Sequence, residues 1–310
     1  MLAFLTEVFP RVERWFSWFN TTLANQEPRG TYMWQDVSKE GALSSGLDDY
    51  PRGYRIVQKG AVHADLQLWM ISFAKFMAGF VTELEALTNK TVGNRTSDDY
   101  RALSSLAANQ LRALCYDASS GLYTDRALYG DAPQTPFEAR FLSYAPTKKY
   151  QAAENFSPHT GIVNLFSVAF NAFQGDGGRL EDALRFGADP ATVFSPFGLR
   201  GVSQRDIFYF PGTGYWRGPV WVSVNYLVLR GLFLYYLDFQ PQSPLSEAVA
   251  TPKDLYAALR RNLVQTVYDN WAPQHLFYEN FNDVTGEGQY SHPFTGWTTL
   301  ILLVMSEKYL

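Results

Sequence analysis

Three carboxylates stand out because of what surrounds them. Asp48 and Asp49 sit side by side in the stretch Ser44 to Arg52, S-S-G-L-D-D-Y-P-R, between a glycine and a proline. Gly46 permits a tight turn and Pro51 disfavours helix at Tyr50, so the stretch reads as an ordered loop that carries acids between helices. Catalytic side chains collect on loops that a rigid scaffold holds still. The third carboxylate, Glu279, stands between rings in Y-E-N-F-N-D, Tyr278 to Asp283. Burial in a partly dry aromatic site raises a carboxyl pKa toward working pH and readies the group for proton transfer. Two carboxylates facing each other across an aromatic groove form the arrangement of glycoside hydrolysis. The plainer alternatives are a solvated acidic turn for the aspartate pair and a scaffold ion pair with an arginine for Glu279.

A long aromatic stretch could supply the groove. It runs from Phe194 to Trp221, F-S-P-F-G-L-R-G-V-S-Q-R-D-I-F-Y-F-P-G-T-G-Y-W-R-G-P-V-W, and sets Trp216 beside Arg217. An indole can stack on a sugar ring, and a guanidinium donates in a fixed fork to hydroxyls or a carboxylate. Packing of the rings under the loop is the competing use. Other chemistries find no support. The four histidines, His63, His159, His275 and His292, are scattered, without an H-E-x-x-H pattern or a cysteine partner, so no zinc site is expected. No G-x-S-x-G elbow occurs, and G-D-G-G at 175–178 lies between helices without the lysine of a phosphate loop. No metal and no cofactor is expected.

The elements that must position these groups read mainly as helices. Leu5, Phe9, Val12, Phe16, Phe19 and Leu23 recur at spacings of three and four, predicting an amphipathic helix over 2–24. A long helix starts at Val62, its first turn carrying His63, Asp65 and Gln67, and another covers 98–115. Residues 116–158 carry turn chemistry and read as long loops with room for short strands. Further on, helices apolar nearly all round (160–173, 218–237, 294–309) alternate with shorter or amphipathic ones (178–187, 252–269). Buried helices alternating with half-exposed ones fit concentric inner and outer rings, because a simple bundle would be amphipathic throughout. Strand signal is confined to a hairpin at 276–289, with Gly286 and Gly288 at the bend. No linker divides the chain, so residues 1–310 read as one domain.

Composition narrows the class. The 310 residues are 46% hydrophobic and 16% aromatic, enough for a large core with rings left over to line a groove. A net charge of −4 without any basic run argues against a nucleic-acid partner. One cysteine, Cys115, allows no internal disulfide. No apolar run is long enough to span a bilayer. Sequons at Asn20, Asn89, Asn94 and Asn155 hint at a secretory-pathway lumen.

Five motifs in order carry a resemblance: S-G-L-D-D-Y-P-R, H-x-D-L-x-x-W from His63, S-P-F-G-L-R, Y-W-R-G-x-V-W-x-x-V-N-Y, and E-N-F-N-D-x-T-G-E-G with a closing P-F-x-G-W-T. Together they span nearly the whole chain and resemble glycoside hydrolase family 63, most nearly its eukaryotic oligosaccharide-processing members. The resemblance implies an all-α (α/α)6 toroid with the active site at one end of the inner helices. It implies an inverting α-glucosidase of the endoplasmic reticulum lumen that removes the terminal α-1,2-linked glucose from the glucosylated N-glycan precursor. Asp48 then matches the general acid and Glu279 the general base. Trp216, Arg217 and Trp297 match positions lining the sugar pocket. Asp49, Arg52, His63, Asp65 and Tyr215, carried in the same motifs, complete the expected substrate-binding set. The alternatives are a related hydrolase of another small α-glycoside and a non-catalytic carbohydrate-binding toroid.

Two departures from the family pattern matter. Where many relatives read E-R-H-x-D-L-R, this chain has Ala61-Val62-His63-Ala64-Asp65-Leu66-Gln67, keeping His63 and Asp65 but neither arginine nor the leading acid. Family members are also longer, with an amino-terminal membrane anchor and a β-rich domain before the toroid. About eight helices are read where twelve close a toroid, so the chain is expected to correspond to the carboxyl-terminal portion of the catalytic domain, its membrane attachment lying in the anchor that precedes it.

Overall fold

A computed structural model describes residues 2–35, 43–52, 56–129, 153–173, 177–238 and 250–309. Among these residues eight α-helices recur: α1 (Leu2–Thr22), α2 (Ala64–Thr88), α3 (Ser97–Gln110), α4 (Phe166–Ala169), α5 (Gly177–Ala188), α6 (Val222–Asp238), α7 (Pro252–Gln274) and α8 (Ile301–Met305). Their packing sorts them into two rows. Helix α2 lies on α4, α4 on α6 and α6 on α8, which makes a continuous inner series. Helices α1 and α3 lie on α2, α5 on α4 and α7, and α7 on α6 and α8, which makes the outer series. This alternation of inner and outer helices is the arrangement of an (α/α)6 toroid.

The sequence explains the two rows. Helix α2 buries residues around most of its circumference, Leu66, Leu68, Met70, Ile71, Ala74, Met77, Val81 and Leu84 among them. Helix α7 instead buries Leu255, Leu259, Leu263 and Val267 on one stripe and turns charges outward, as an outer helix must. Its start is fixed by a capping box between Thr251 and Asp254, with Pro252 in the first turn. Helix α3 uses the same device with Thr96 and Asp99. One cluster of buried apolar side chains runs from Phe9 to Val304.

Several elements depart from the sequence reading. The helix read over 160–173 is a tight turn at Ile162–Leu165 followed by the single turn of α4, and Asn171 ends it in the left-handed region at φ 54°. The helix read from 218 starts at Val222, because Val220 is held extended between Arg200 and Phe281. The last helix begins as a tight turn at Trp297–Leu300 and becomes regular only at Ile301. Residues 111–115 continue α3 as a wider π turn. Strand is not confined to one hairpin. β1 (Ile56–Val62), β4 (Arg126–Tyr129) and β5 (Ala153–Phe156) form an antiparallel sheet in the order β1-β4-β5. β2 (Tyr116–Asp117) pairs β3 (Leu122–Tyr123), and β6 (Phe194–Ser195) pairs β7 (Gly198–Leu199). These strands lack alternating polarity, the signal by which a half-buried strand is recognised. The expected hairpin is present, as β8 (Asn280–Phe281) against β9 (Gly288–Gln289). Part of the loop region read over 116–158 lies outside the described residues, from 130 to 152.

Helices α1 and α2 leave a groove of about 460 Å³ open to solvent, walled by Trp15, Phe19, Trp34, Trp69, Phe73 and Phe76. None of the candidate catalytic residues lines it.

The inner helices meet at close quarters where α6 crosses α4. A Cβ on Gly231 would stand 2.2 Å from the Val168 carbonyl oxygen and 2.6 Å from the Ala169 Cα. Backbone cannot yield as a flexible side chain can, so Gly231→Ala should destabilise by about 1–3 kcal/mol. Gly79→Ala on α2, which meets nothing within 4 Å, should be neutral or slightly stabilising because alanine favours helix. Thermal melts of the two variants, followed by circular dichroism, measure the contrast.

Candidate active site

Three segments far apart in sequence converge around the turn at Tyr215–Arg217. The acidic loop is anchored by its own apolar residues: Leu47 and Tyr50 are buried, which leaves Asp48 and Asp49 half-buried between them. Gly46 turns the chain into the loop at φ 75°. Behind the loop, Arg52 is wholly buried and pairs with Asp65 at 2.6 Å and with Asp125 at 3.2 Å. Asp65 also accepts from the Trp34 indole and Asp125 from the Ala64 amide, so the cluster ties the loop to the start of α2.

The aspartate pair divides its work. Asp49 accepts from the Trp216 amide at 2.8 Å and from Arg217 Nε at 3.0 Å. Burial pushes its carboxyl above the usual range, against the pull of the Arg217 charge. Asp48 makes no hydrogen bond among the described residues and stays half-exposed. One carboxylate therefore fastens the acidic loop to the aromatic loop, and its neighbour is left free at the groove.

The aromatic loop turns tightly at Tyr215–Arg217. Tyr215 adopts φ 52°, a conformation that side chains rarely take. Trp216 is buried and stacks on Trp221 at 3.9 Å with the rings 7° from parallel, while Tyr215 and Trp297 meet Trp221 at 4.9 Å and 5.7 Å. This close fit needs glycine at Gly201, where a Cβ would stand 2.0 Å from the Trp216 carbonyl oxygen.

Glu279 enters from the hairpin. Its Oε1 accepts from the Tyr215 hydroxyl at 3.3 Å and its Oε2 from the Ser291 amide at 3.2 Å. Trp297 donates its indole N–H to the Glu279 carbonyl at 2.8 Å. The hairpin is joined to the aromatic loop by paired backbone bonds between Val220 and Phe281, 2.8 and 3.0 Å. The Tyr215 phenol is pushed up to about 12 by burial, then by the charges of Glu279, Asp48 and Asp49. The bonds of Asp49 to Trp216 and Arg217 and of Tyr215 to Glu279 bring the acidic loop and the hairpin to the same turn. As for the scaffold alternative at Glu279, among the described residues the arginine goes to Asp283 instead, which pairs with Arg200 and accepts from Tyr209 and Gly212.

The structure sorts the expected substrate-binding residues. Tyr215, Arg217 and Trp297 edge the groove with partly exposed side chains. Arg52, His63 and Asp65 do not: at 0%, 3% and 1% exposure they lie behind the acidic loop, and they act on the loop rather than on its surface. Trp216 does not either, because its ring is buried against Trp221. Asp49 and Arg217 spend part of their bonding on each other. Asp125, Asp283 and Arg200 support the site, and motif reading did not single them out. The signal for Asp283 and Arg200 was their place within E-N-F-N-D and S-P-F-G-L-R, whereas nothing local marks Asp125. Gln67, at the position where the family pattern implies an arginine, is buried and neutral. Its amide accepts from Tyr32 N–H and donates to the carbonyls of Gly30 and Ala107.

His63 precedes α2 and accepts the Trp34 amide on Nδ1 at 2.9 Å, a bond that requires the neutral ring nitrogen. Burial, more than its charged neighbours, lowers its pKa below the ordinary 6.5. The unfolded chain therefore takes up this proton first. The stability His63 contributes is complete above about pH 6.5 and is lost as pH falls toward the folded-state value. Urea unfolding at about pH 7.5 and about pH 5.5 should show a stability drop that His63→Gln reduces.

The chain matches the model of the glycosyl hydrolase family 63 C-terminal domain over residues 1–307. It is 30% identical to a Schizosaccharomyces pombe protein named a probable mannosyl-oligosaccharide glucosidase, across 99% of this chain and 35% of that protein. It is 29% identical to an Arabidopsis thaliana mannosyl-oligosaccharide glucosidase, across 100% of this chain and 37% of the relative. The chain thus spans little more than a third of the length of these relatives. A crystal structure of a GH63 mannosylglycerate hydrolase from Thermus thermophilus superposes with a TM-score of 0.62 at 16% identity, covering 97% of this chain and 68% of that one, and shows the shared fold. With the inner and outer helices and a match running almost end to end, the chain belongs to glycoside hydrolase family 63.

Proposed function

We propose that this chain carries the acid–base pair of an inverting α-glucosidase that acts on a glucosylated N-glycan oligosaccharide in the endoplasmic reticulum lumen. The observation that carries the reading is the meeting of the two carboxylate segments at one turn: Asp49, next to Asp48, bonds Trp216 and Arg217, and the neighbouring Tyr215 hydroxyl donates to Glu279. Asp48, unbonded among the described residues, is the general acid that protonates the glycosidic oxygen. Glu279, oriented by Tyr215 and the Ser291 amide, is the base that takes a proton from the attacking water. Water attacks the anomeric carbon on the face opposite the leaving group, so an α-linkage yields a β-sugar. Trp297, partly exposed, supplies the apolar face on which a pyranose rests, and the buried Trp216–Trp221 stack backs the turn that carries Tyr215. The names of the relatives support glucose as the sugar removed. Removal of the terminal α-1,2-linked residue, and residence in the lumen, follow from the motif resemblance and the four sequons.

A non-catalytic carbohydrate-binding toroid would keep the rings but has no need of a free carboxylate at Asp48. The two readings separate in one experiment. Proton NMR of fresh product should show β-glucose first. Asp48→Asn should lower turnover by about 10²–10⁴-fold on an oligosaccharide and be partly spared on α-glucosyl fluoride, whose leaving group needs no proton. Glu279→Gln should fail on both substrates alike. Glycan binding without turnover would favour the binding toroid. Initial α-glucose, or equal sparing of both variants, would overturn the assigned roles.

A further inference from the structure

Away from the carboxylate groove, the second half of α7, the Pro196–Phe197 turn and the bend of the β8–β9 hairpin enclose a cleft of about 420 Å³. That size falls within the about 300–1,000 Å³ typical of small-molecule sites. Asp48, Glu279, Tyr215 and Trp297 are not among its walls. Its lining is polar and mixed in character, with amides, carboxylates and hydroxyls around a single aromatic ring.

Hydrogen-bond capacity is left over in a definite pattern. Asn262 donates to the Ser195 carbonyl, and nothing among the described residues bonds its Oδ1. Gln265 donates to Asp269 Oδ1, which leaves Gln265 Oε1 and Asp269 Oδ2. Thr285 donates to Glu287 Oε2 and leaves Oε1. Arg261 lines the same cleft and pairs with no carboxylate among the described residues. The cleft thus offers several acceptors and one forked donor, beside the partly buried ring of Phe197.

That inventory selects a ligand. An apolar molecule would strand the amides and carboxylates, each at a desolvation cost. Asp269 and Glu287 repel an anion. A neutral polyol supplies a donor and acceptor at every hydroxyl, and a pyranose adds a C–H face for an aromatic ring. We propose that this cleft is a second carbohydrate site, taking a neutral hexose residue of an oligosaccharide away from the acid–base pair.

The site does not depend on the glycosidase reading, although it shares a structural element with it. Asn270 donates to the Gly286 carbonyl and accepts from the Gly288 amide, which fastens the hairpin bend to α7. The cleft therefore forms against one end of the hairpin whose other end presents Glu279.

The test is titration of this chain with mannotriose and with maltotriose, read by NMR of the side-chain amides. At millimolar sugar the amides of Asn262, Gln265 and Asn270 should shift with at least one of the two. The double variant Gln265→Ala/Asp269→Ala removes two exposed partners together, so it strands neither, and it should weaken binding about tenfold or more, equivalent to about 1.4 kcal/mol. Trp297→Ala should leave these shifts in place. Absence of amide shifts with both sugars, or wild-type affinity in the double variant, overturns the proposal. Shifts lost with Trp297→Ala but kept in the double variant would assign the binding to the carboxylate groove, sinking the second site and leaving the glycosidase reading intact.

Discussion

The groove depends on the tie between Asp49 and the turn at Trp216 and Arg217. It joins residues more than 160 positions apart, and it links the loop that carries Asp48 directly to the loop that carries Tyr215. Two bonds from one carboxylate, one to backbone and one to a guanidinium Nε, fix both the distance and the rotation between the loops. That tie brings the loop of Asp48 to the turn whose Tyr215 hydroxyl bonds Glu279. The doubled aspartate is then one requirement in two parts: a carboxylate bound tightly enough to hold the loop, next to one left unbound for chemistry.

A second constraint lies beneath the loop. Arg52, Asp65 and Asp125 are charged and almost without exposure, and taking charges out of water is costly unless geometry and further hydrogen bonds compensate. Here the compensation comes from the Trp34 indole, the Ala64 amide and the carboxylate pair around one guanidinium, and it is partial, since Arg52 Nε and Nη2 make no hydrogen bond among the described residues. The cluster adds specificity of position more than stability. It admits one placement of the acidic loop against the start of α2, since any shift would strand a buried charge.

The hairpin plays the matching part on the other side. Val220 and Phe281 exchange backbone bonds, Asp283 gathers Arg200, Tyr209 and Gly212, and Asn270 holds the bend to α7. Glu279 itself carries little of this load, which leaves its carboxylate to Tyr215 and one backbone amide. The same separation of holding from acting appears in both carboxylate segments.

Much of this was legible in the chain itself. Apolar periodicity gave α1, α2, α3, α5 and α7 nearly to their ends, because the stripe that must face the core is written at 3.6-residue spacing. All-round apolar helices announced an inner row, since burial on every side leaves no place for charge. The motifs identified the acidic loop, the aromatic loop and Glu279. The sequence could not say which aspartate is bound and which is free, nor that Arg52, His63 and Asp65 face inward, because both depend on partners at Arg217 and Asp125 far along the chain. It overran the helices at 160–173 and 218–237, where Asn171 and the extended pairing of Val220 override local propensity. Local residue types determined the helices and the chemistry on offer. Contacts between distant segments alone decided which carboxylate is free to act, since a side chain's availability is set by what else reaches it.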